Sequence, residues 1–306
     1  MTTIPKSIGV VAHARRKETV PVAEHIAESL RARGVQTWMS VRWEDTDTED
    51  IRQRTDMVVA IGGDGAMLRA SRTCAQYGIP VLGVNMGYLG FLPEINSPDD
   101  WDTHLDKLLA GDFWIERRMM VEASLVRDGK TLEVGSALND IVINRDRAIG
   151  TVLLQTYIDG YWATTYHADA LIIATATGST AYALATGGPI LPPELRNILI
   201  VSVAPHLSMD RPIVLSEGAT VQVIVSPERE HDAVVVIDGD ELCKLRPKDC
   251  LLIKAGKNEG QFVRMRDQNY FYRSLLDRLE PRVPTRATPD QINLNIAQVN
   301  ADNAPS

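Results

Sequence analysis

Along the first hundred residues, short strand-like apolar runs alternate with helical stretches. The runs are Ile8–Ala12, Val35–Ser40, Met57–Ile61 and Ile79–Val84. Between the first two, Val20–Arg33 places Val22, Ala23, Ile26, Ala27 and Leu30 on one face and stops at Gly34, which predicts an amphipathic helix. Ala66–Tyr77, ending at Gly78, predicts a second helix. Ser97-Pro98-Asp99-Asp100 is a helix start: a capping hydroxyl, Pro at the first helical position, then two acids for the positive dipole end. That helix should run to about Ala110. Such alternation implies parallel strands joined by right-handed helical crossovers.

From about Glu116 the period shortens. Met119–Val126, Leu138–Asn144, Val152–Ile158 and Val221–Val225 read as strands, and helical periodicity is scarce. Asp128-Gly129 and Asp159-Gly160 are hairpin turns, and Val234–Ile237 with Glu241–Leu245 form another hairpin around Asp238-Gly239-Asp240. The expected fold is an α/β N-terminal domain (an open, mostly parallel sheet with helices) plus an all-β, sandwich-like C-terminal domain. The α/β domain spans 1–115 and is joined by a returning segment at about 265–280, where Tyr270–Leu279 is helical. The β domain spans 116–264. Residues 281–306 lack apolar periodicity and are expected to form a poorly ordered tail.

Composition narrows the function classes. Hydrophobic residues make up 44% and charged residues 24% of the 306, the usage of an ordered globular protein. A net charge of −8 argues against a nucleic-acid or membrane-surface role, so attraction for any anionic ligand must be local. Cys74, Cys243 and Cys250 form no CxxC pair, which argues against a disulfide framework or structural zinc. With no signal-like or spanning apolar run, a cytoplasmic protein is expected.

Several familiar sites are excluded. No GxGxxG follows the first strand, no HExxH or GxSxG occurs, and Gly129-Lys130-Thr131 resembles a phosphate-loop ending only in a hairpin context. Three segments remain. Val58-Val59-Ala60-Ile61-Gly62-Gly63-Asp64-Gly65 runs a buried strand into a glycine turn before a helix. Glycines admit a bulky anion close to the backbone, and a helix N-terminus favours phosphate. Asp64, in that turn, would hold a metal or handle a proton; by itself the turn is also explained as a capped strand-to-helix connection. Thr175–Tyr182 carries four hydroxyls within six residues among small side chains, which suits a ligand loop or a simple Thr/Ser-rich loop. Asn139-Asp140, leading into a strand, suits a base edge and a ribose diol, or an Asx turn.

These blocks, with Asn85-Met86-Gly87-Tyr88-Leu89-Gly90-Phe91-Leu92 and Pro205-His206, stand in the order and approximate spacing of the NAD kinase family. The resemblance covers roughly residues 5–280. It implies ATP-dependent phosphorylation of the 2′-hydroxyl of the adenosine ribose of NAD, giving NADP, with a divalent metal, Mg²⁺, accompanying ATP. It makes Asp64 the catalytic carboxylate and Gly65 and Arg69 its neighbours at the ligand. Asn139 and Asp140 would grip the adenosine, with His167, Asp169, Thr177 and Asp240 as further contacts. Thr180, Ala181, Tyr182, Ala183, Leu184 and Ala185 would form a binding loop shared between subunits of a homodimer or homotetramer. No residue is assigned as a dedicated metal ligand, and neither nucleic acid nor membrane is an expected partner. Ala66, Ala176 and Ala185 depart from the family pattern. Ala170 stands where glycine is frequent and would be strained if that position needs φ > 0. The competing readings are another kinase with a related glycine turn, acting on lipid or sugar, and a non-catalytic dinucleotide-binding sensor.

Overall fold

The structure is a computed structural model. It describes residues 4–268 apart from 14–15, 42–50, 52–54, 88–89, 147–149, 207 and 229–231, and beyond them only 270–272 and 275. Residues 1–268 form one compact unit and 269–306 a second. In the second, Tyr270–Tyr272 and residue 275 are helical; the expected tail lies outside the described residues.

The N-terminal half follows the predicted alternation. Strands β1 (Ser7–Val11), β2 (Gln36–Ser40), β3 (Met57–Ile61) and β4 (Val81–Val84) are parallel in the order β2-β1-β3-β4. Helices α1 (Thr19–Ala32) and α3 (Trp101–Ala110) cover one face. Helix α2 (Asp64–Ala75) covers the other through Met67, Ala70 and Cys74. The Ser97 hydroxyl accepts from the Asp99 N–H, and Gly111 closes α3 at φ +73°, a left-handed position that glycine adopts without a Cβ clash.

The C-terminal half is a sandwich. One face belongs to β5 (Trp114–Arg127), β6 (Lys130–Ala137), β8 (Val152–Ile158), β9 (Tyr161–Ala168), β13 (Thr220–Val225) and β16 (Cys250–Arg264). The other is the antiparallel sheet β12-β11-β10-β7-β14-β15, formed by Ile213–Ser216, Asn197–Val203, Ala170–Thr175, Asp140–Arg145, Ala233–Ile237 and Asp240–Leu245. Val121, Ala123, Leu154, Val221 and Ile253 meet Ile141, Ile143, Leu171, Ile173, Ile200 and Val235 between the sheets. The three Asp-Gly turns bend as predicted, with Asp128, Asp159 and Asp238 at φ 51°, 50° and 48° and each following glycine also positive.

The two halves share a sheet. Strand β16 pairs antiparallel with β13 through residues 250–254 and parallel with β4 at Phe262, with β5 along its other edge. The parallel sheet therefore runs into one face of the sandwich, a connection that hydrophobic periodicity did not reveal. Strand β10 is buried along its whole length. Leu171 and Ile173 face the sandwich core, while Ala170, Ile172 and Ala174 face the short helix α4 (Tyr182–Ala185).

Candidate active site

In the parallel sheet β1 and β3 are neighbours, and the chain leaves β1 toward β2 on one side but runs from β3 to β4 on the other. This reversal is where an open α/β sheet binds its ligand, beyond the carboxyl ends of the strands. The residues that follow the two strands there are His13 and Gly62-Gly63-Asp64-Gly65. Gly62 has φ +148°, and a Cβ would lie 2.7 Å from that of Ala66, so only glycine fits. Gly63 is the N-cap, in extended conformation, and α2 begins at Asp64, two residues earlier than its apolar spacing predicts. Asp64 therefore lies in the first helical turn, where the dipole favours a carboxylate. Its Oδ1 accepts from the Leu92 N–H at 2.9 Å and its Oδ2 from the Phe91 N–H at 3.1 Å.

A cavity of about 210 Å³ opens beside this turn. It is lined by His13, Gly65, Ala66, Leu68, Arg69 and Arg72 on one wall and by the Asp238–Asp240 hairpin on the other. Arg72 pairs with Asp240 across it at 2.9 Å. The hairpin leads to the third segment. The Asp238 carboxylate accepts from the N–H groups of Leu138, Asn139 and Asp140 at 2.9, 2.8 and 3.2 Å. Burial raises the Asp238 pKa against the pull of these three donors. Sequence reading singled out the Asp-Gly-Asp turn but assigned only Asp240 to the site. The signal for Asp238 was a carboxylate at a left-handed turn position beside a segment needing donors satisfied.

Asp140 is buried, and burial together with the Asp238 charge pushes its pKa up to about 7. Behind it, the Asn139 carbonyl accepts from the Thr175 N–H at 2.8 Å, and the Thr175 hydroxyl donates to the Leu138 carbonyl and accepts from the Gly178 N–H. Thr177–Thr180 is a single 3₁₀ turn rather than an open loop. The Thr177 hydroxyl is buried with no hydrogen-bond partner among the described residues, an uncompensated cost that a ligand would remove. Ser179 is structural: its hydroxyl donates to the Ala176 carbonyl and accepts from the Leu191 N–H.

A Cβ on Gly178 would lie 2.1 Å from the Asn139 carbonyl oxygen, so backbone meets backbone there. Gly178→Ala should push the two segments apart and weaken binding of the segment's ligand about 5- to 150-fold, since a buried polar contact is typically worth ~1–3 kcal/mol. Titration calorimetry with the nucleotide proposed below checks this, and unchanged affinity would overturn it.

Two family models match the chain: the ATP-NAD kinase N-terminal domain over residues 8–113 and the ATP-NAD kinase C-terminal domain over 138–265. The chain belongs to the NAD kinase family. The NAD kinase of Chloroflexus aurantiacus is 37% identical over 272 residues, covering 89% of this chain and 98% of that protein. That of Pseudomonas fluorescens is 35% identical over 252 residues, 82% of each. Among solved structures, an NAD kinase from Archaeoglobus fulgidus in complex with ATP superposes with a TM-score of 0.71 at 25% identity, over 89% of this chain and 98% of that one. Yeast NADH kinase complexed with NADH shares the fold, with a TM-score of 0.81 at 22% identity over 93% and 90%. The activity is therefore that of an NAD kinase, ATP-dependent phosphorylation of NAD to NADP, and neither the lipid or sugar kinase nor the non-catalytic sensor is favoured.

The residues assigned from the sequence gather in three groups. Asp64, Gly65 and Arg69 stand on α2; Gly65 and Arg69 line the cavity with Asp240 on its other wall, while the Asp64 carboxylate is held by the 91–92 backbone. Asn139, Asp140 and Thr177 are joined by the backbone contacts around Gly178. His167 lies near the end of β9, and Asp169 is the single residue between β9 and β10. The His206 N–H donates to the His167 carbonyl at 2.7 Å, their rings are 5.7 Å apart, and Asp169 is ion-paired with Arg145 at 2.5 Å. Of the Thr180–Ala185 segment, Tyr182 is 43% exposed and so is not a core aromatic, whereas Ala183 is fully buried against β10. The Thr180 hydroxyl donates to the Thr177 carbonyl. Ala170 lies in a strand with no left-handed φ, so the position does not need glycine and alanine is unstrained there. Tyr88 and Leu89 lie outside the described residues.

Proposed function

We propose that NAD binds with its adenosine on the Asn139–Asp140 and Thr177–Tyr182 segments and its 2′-hydroxyl turned toward Asp64. The observation that carries this reading is the Thr177 hydroxyl, buried and without a hydrogen-bond partner among the described residues, next to Gly178, which meets the Asn139 backbone. With the buried Asp140 carboxylate it offers an acceptor and a hydroxyl to the edges of a base and a ribose. Asp169 shares its charge with Arg145 and so meets the ligand as half of an ion pair. His167, Gly65 and Asp240 complete the rim.

Phosphoryl transfer asks mainly for alignment and charge neutralisation. Asp64 orients the 2′-hydroxyl and takes its proton as the hydroxyl oxygen bonds to the γ-phosphorus of ATP and the bond from that phosphorus to the bridging oxygen breaks, releasing ADP, while Arg69, on α2, faces the donor's phosphates. Among the described residues, no cluster of three or more His, Cys, Asp or Glu side chains is arranged to hold a metal. This donor set would suit Mg²⁺ only as the partner of ATP, with Asp64 the carboxylate that would help to hold it. Bound so, it would neutralise charge on the transferring phosphoryl group. The reaction is tested with purified protein, ATP, Mg²⁺ and NAD, read by an NADP-specific dehydrogenase. Absence of NADP would overturn the assignment.

The functional unit is a homodimer or homotetramer in the cytoplasm. Helix α4 and the exposed Tyr182 support a loop shared with a neighbouring copy, and among the described residues no helix is long and apolar enough to cross a membrane. Tyr182→Ala should weaken NAD binding by about 1–3 kcal/mol, the worth of a base–aromatic stack. Dilution to monomer should lower activity more than proportionally. Light scattering paired with activity at matched concentrations checks this, and a fully active monomer would overturn it.

A further inference from the structure

The Asp64 carboxylate is held by a segment that is itself held from the protein core. Both of its oxygens accept backbone N–H groups from residues 91 and 92, at 3.1 and 2.9 Å. The approach is close enough that a Cβ on Gly90 would lie 2.2 Å from Asp64 Oδ1. On the far side of the same segment, the Leu92 carbonyl accepts from Arg264 Nη1 at 2.7 Å. Arg264 is 1% exposed. Its Nε donates to Glu116 Oε2 at 2.8 Å, and Nη1 lies 3.4 Å from Glu94 Oε2. Arg118 donates to the same Glu116 oxygen at 3.0 Å, and the guanidinium groups of Arg118 and Arg264 both lie over the Phe262 ring, 5.3 Å from its centroid. Glu94 accepts the N–H groups of Met265 and Arg266, fixing the residues just beyond β16.

Buried ion pairs are a weak means of stabilising a fold, because desolvation offsets much of the attraction. Their geometric consequence here is specific. Arg264 presents a planar fork, which a lysine cannot reproduce, to a carboxylate on one side and a carbonyl on the other. That carbonyl belongs to the segment whose N–H groups orient Asp64.

We infer that Arg264 is a positioning residue for Asp64. Acting through Leu92, in the space left by Gly90, it sets where the carboxylate meets the 2′-hydroxyl. This rests on the reading of Asp64 proposed above. Arg264 lies 200 residues from Asp64 in sequence and touches no proposed substrate site.

The test compares Arg264→Lys, Gly90→Ala and Asp64→Asn, with full kinetics in NAD and ATP and thermal unfolding of each. Arg264→Lys keeps a cation among the buried glutamates, and Gly90→Ala adds one methyl at a position without left-handed φ, so both should remain folded. Each should lower kcat by about 10–100-fold, the range of a misplacement of about 1 Å, with KM for NAD within about twofold of wild type. A merely structural role would lower Tm without that split. Two outcomes overturn the inference: kcat above half of wild type in either folded variant while Asp64→Asn is inactive, or a raised KM with unchanged kcat. If Asp64→Asn itself turns over normally, the role of Asp64 is what fails.

Discussion

Asp64→Asn removes NADP formation while leaving NAD bound. The expected loss in kcat is about 10²–10⁴-fold, the usual contribution of a positioned general base. The substitution takes the charge from the only acid in the Gly62–Gly65 turn. It also disturbs how the side chain is held. The carboxylate accepts two N–H groups, one on each oxygen, whereas an amide can accept only one and turns its NH₂ toward the other donor. Adenosine recognition is assigned to residues 139–140 and 177–182, so NAD affinity by titration calorimetry should stay within a few-fold. The coupled assay measures turnover. Retention of more than about a tenth of wild-type kcat, a barrier change under ~1.4 kcal/mol, would falsify the assignment of Asp64.

Asp140→Asn should weaken NAD binding and at the same time stabilise the free protein at alkaline pH. The pKa of Asp140 is raised to about 7, first by burial and then by the Asp238 carboxylate. In the unfolded chain it returns to about 3.9. Below about pH 4 both states carry the proton and the group costs nothing. As pH rises from about 4 to about 7 the unfolded chain releases its proton first, and native stability falls. Above pH 7 the full penalty is present, roughly 2–4 kcal/mol. Asparagine has nearly the same shape and no charge, so the variant's advantage should grow across that window and vanish at its acidic end. Urea unfolding from pH 4 to 8 checks it, and parallel curves for the two proteins would sink the argument. Calorimetry should show NAD affinity reduced by about 1.5–3 kcal/mol, the worth of a hydrogen bond to a charged group. The penalty in the free protein is the expected cost of keeping an acceptor dry for a ligand.

Much of the first half was legible in the sequence, because both of its periods are strong. Met57–Ile61 is apolar at every position and is buried at every position, as a strand covered on both faces must be. The apolar face of Val20–Arg33 became the buried face of α1. The boundary of α2 was less legible, since two glycines flank Asp64 and apolar spacing begins only at Ala66. The site side chains were legible as types at fixed spacings, and the resemblance to a family gave them roles. Other features carried no local signal. The hydroxyl-rich Thr175–Tyr182 segment suited a loop, yet Thr175 ends β10 and Thr177–Thr180 is a 3₁₀ turn. Glu94, Glu116, Arg118 and Arg264 read as ordinary charged positions, yet they are buried together.

By itself the sequence determined that a parallel α/β half precedes a β sandwich, that glycines surround a single acid at a strand end, and that Asp-Gly turns close hairpins. These depend on neighbours within a few residues: backbone freedom at glycine, capping at Ser97 and hydrophobic period. Only the tertiary structure decided that β16 joins the two halves into one sheet, that Asp238 holds the Asn139–Asp140 backbone, and that Arg264 reaches the segment gripping Asp64. Those contacts link residues about 100 to 180 positions apart. Their partners are backbone N–H and carbonyl groups, which every residue other than proline carries in full, so no side-chain pattern along the chain can announce them.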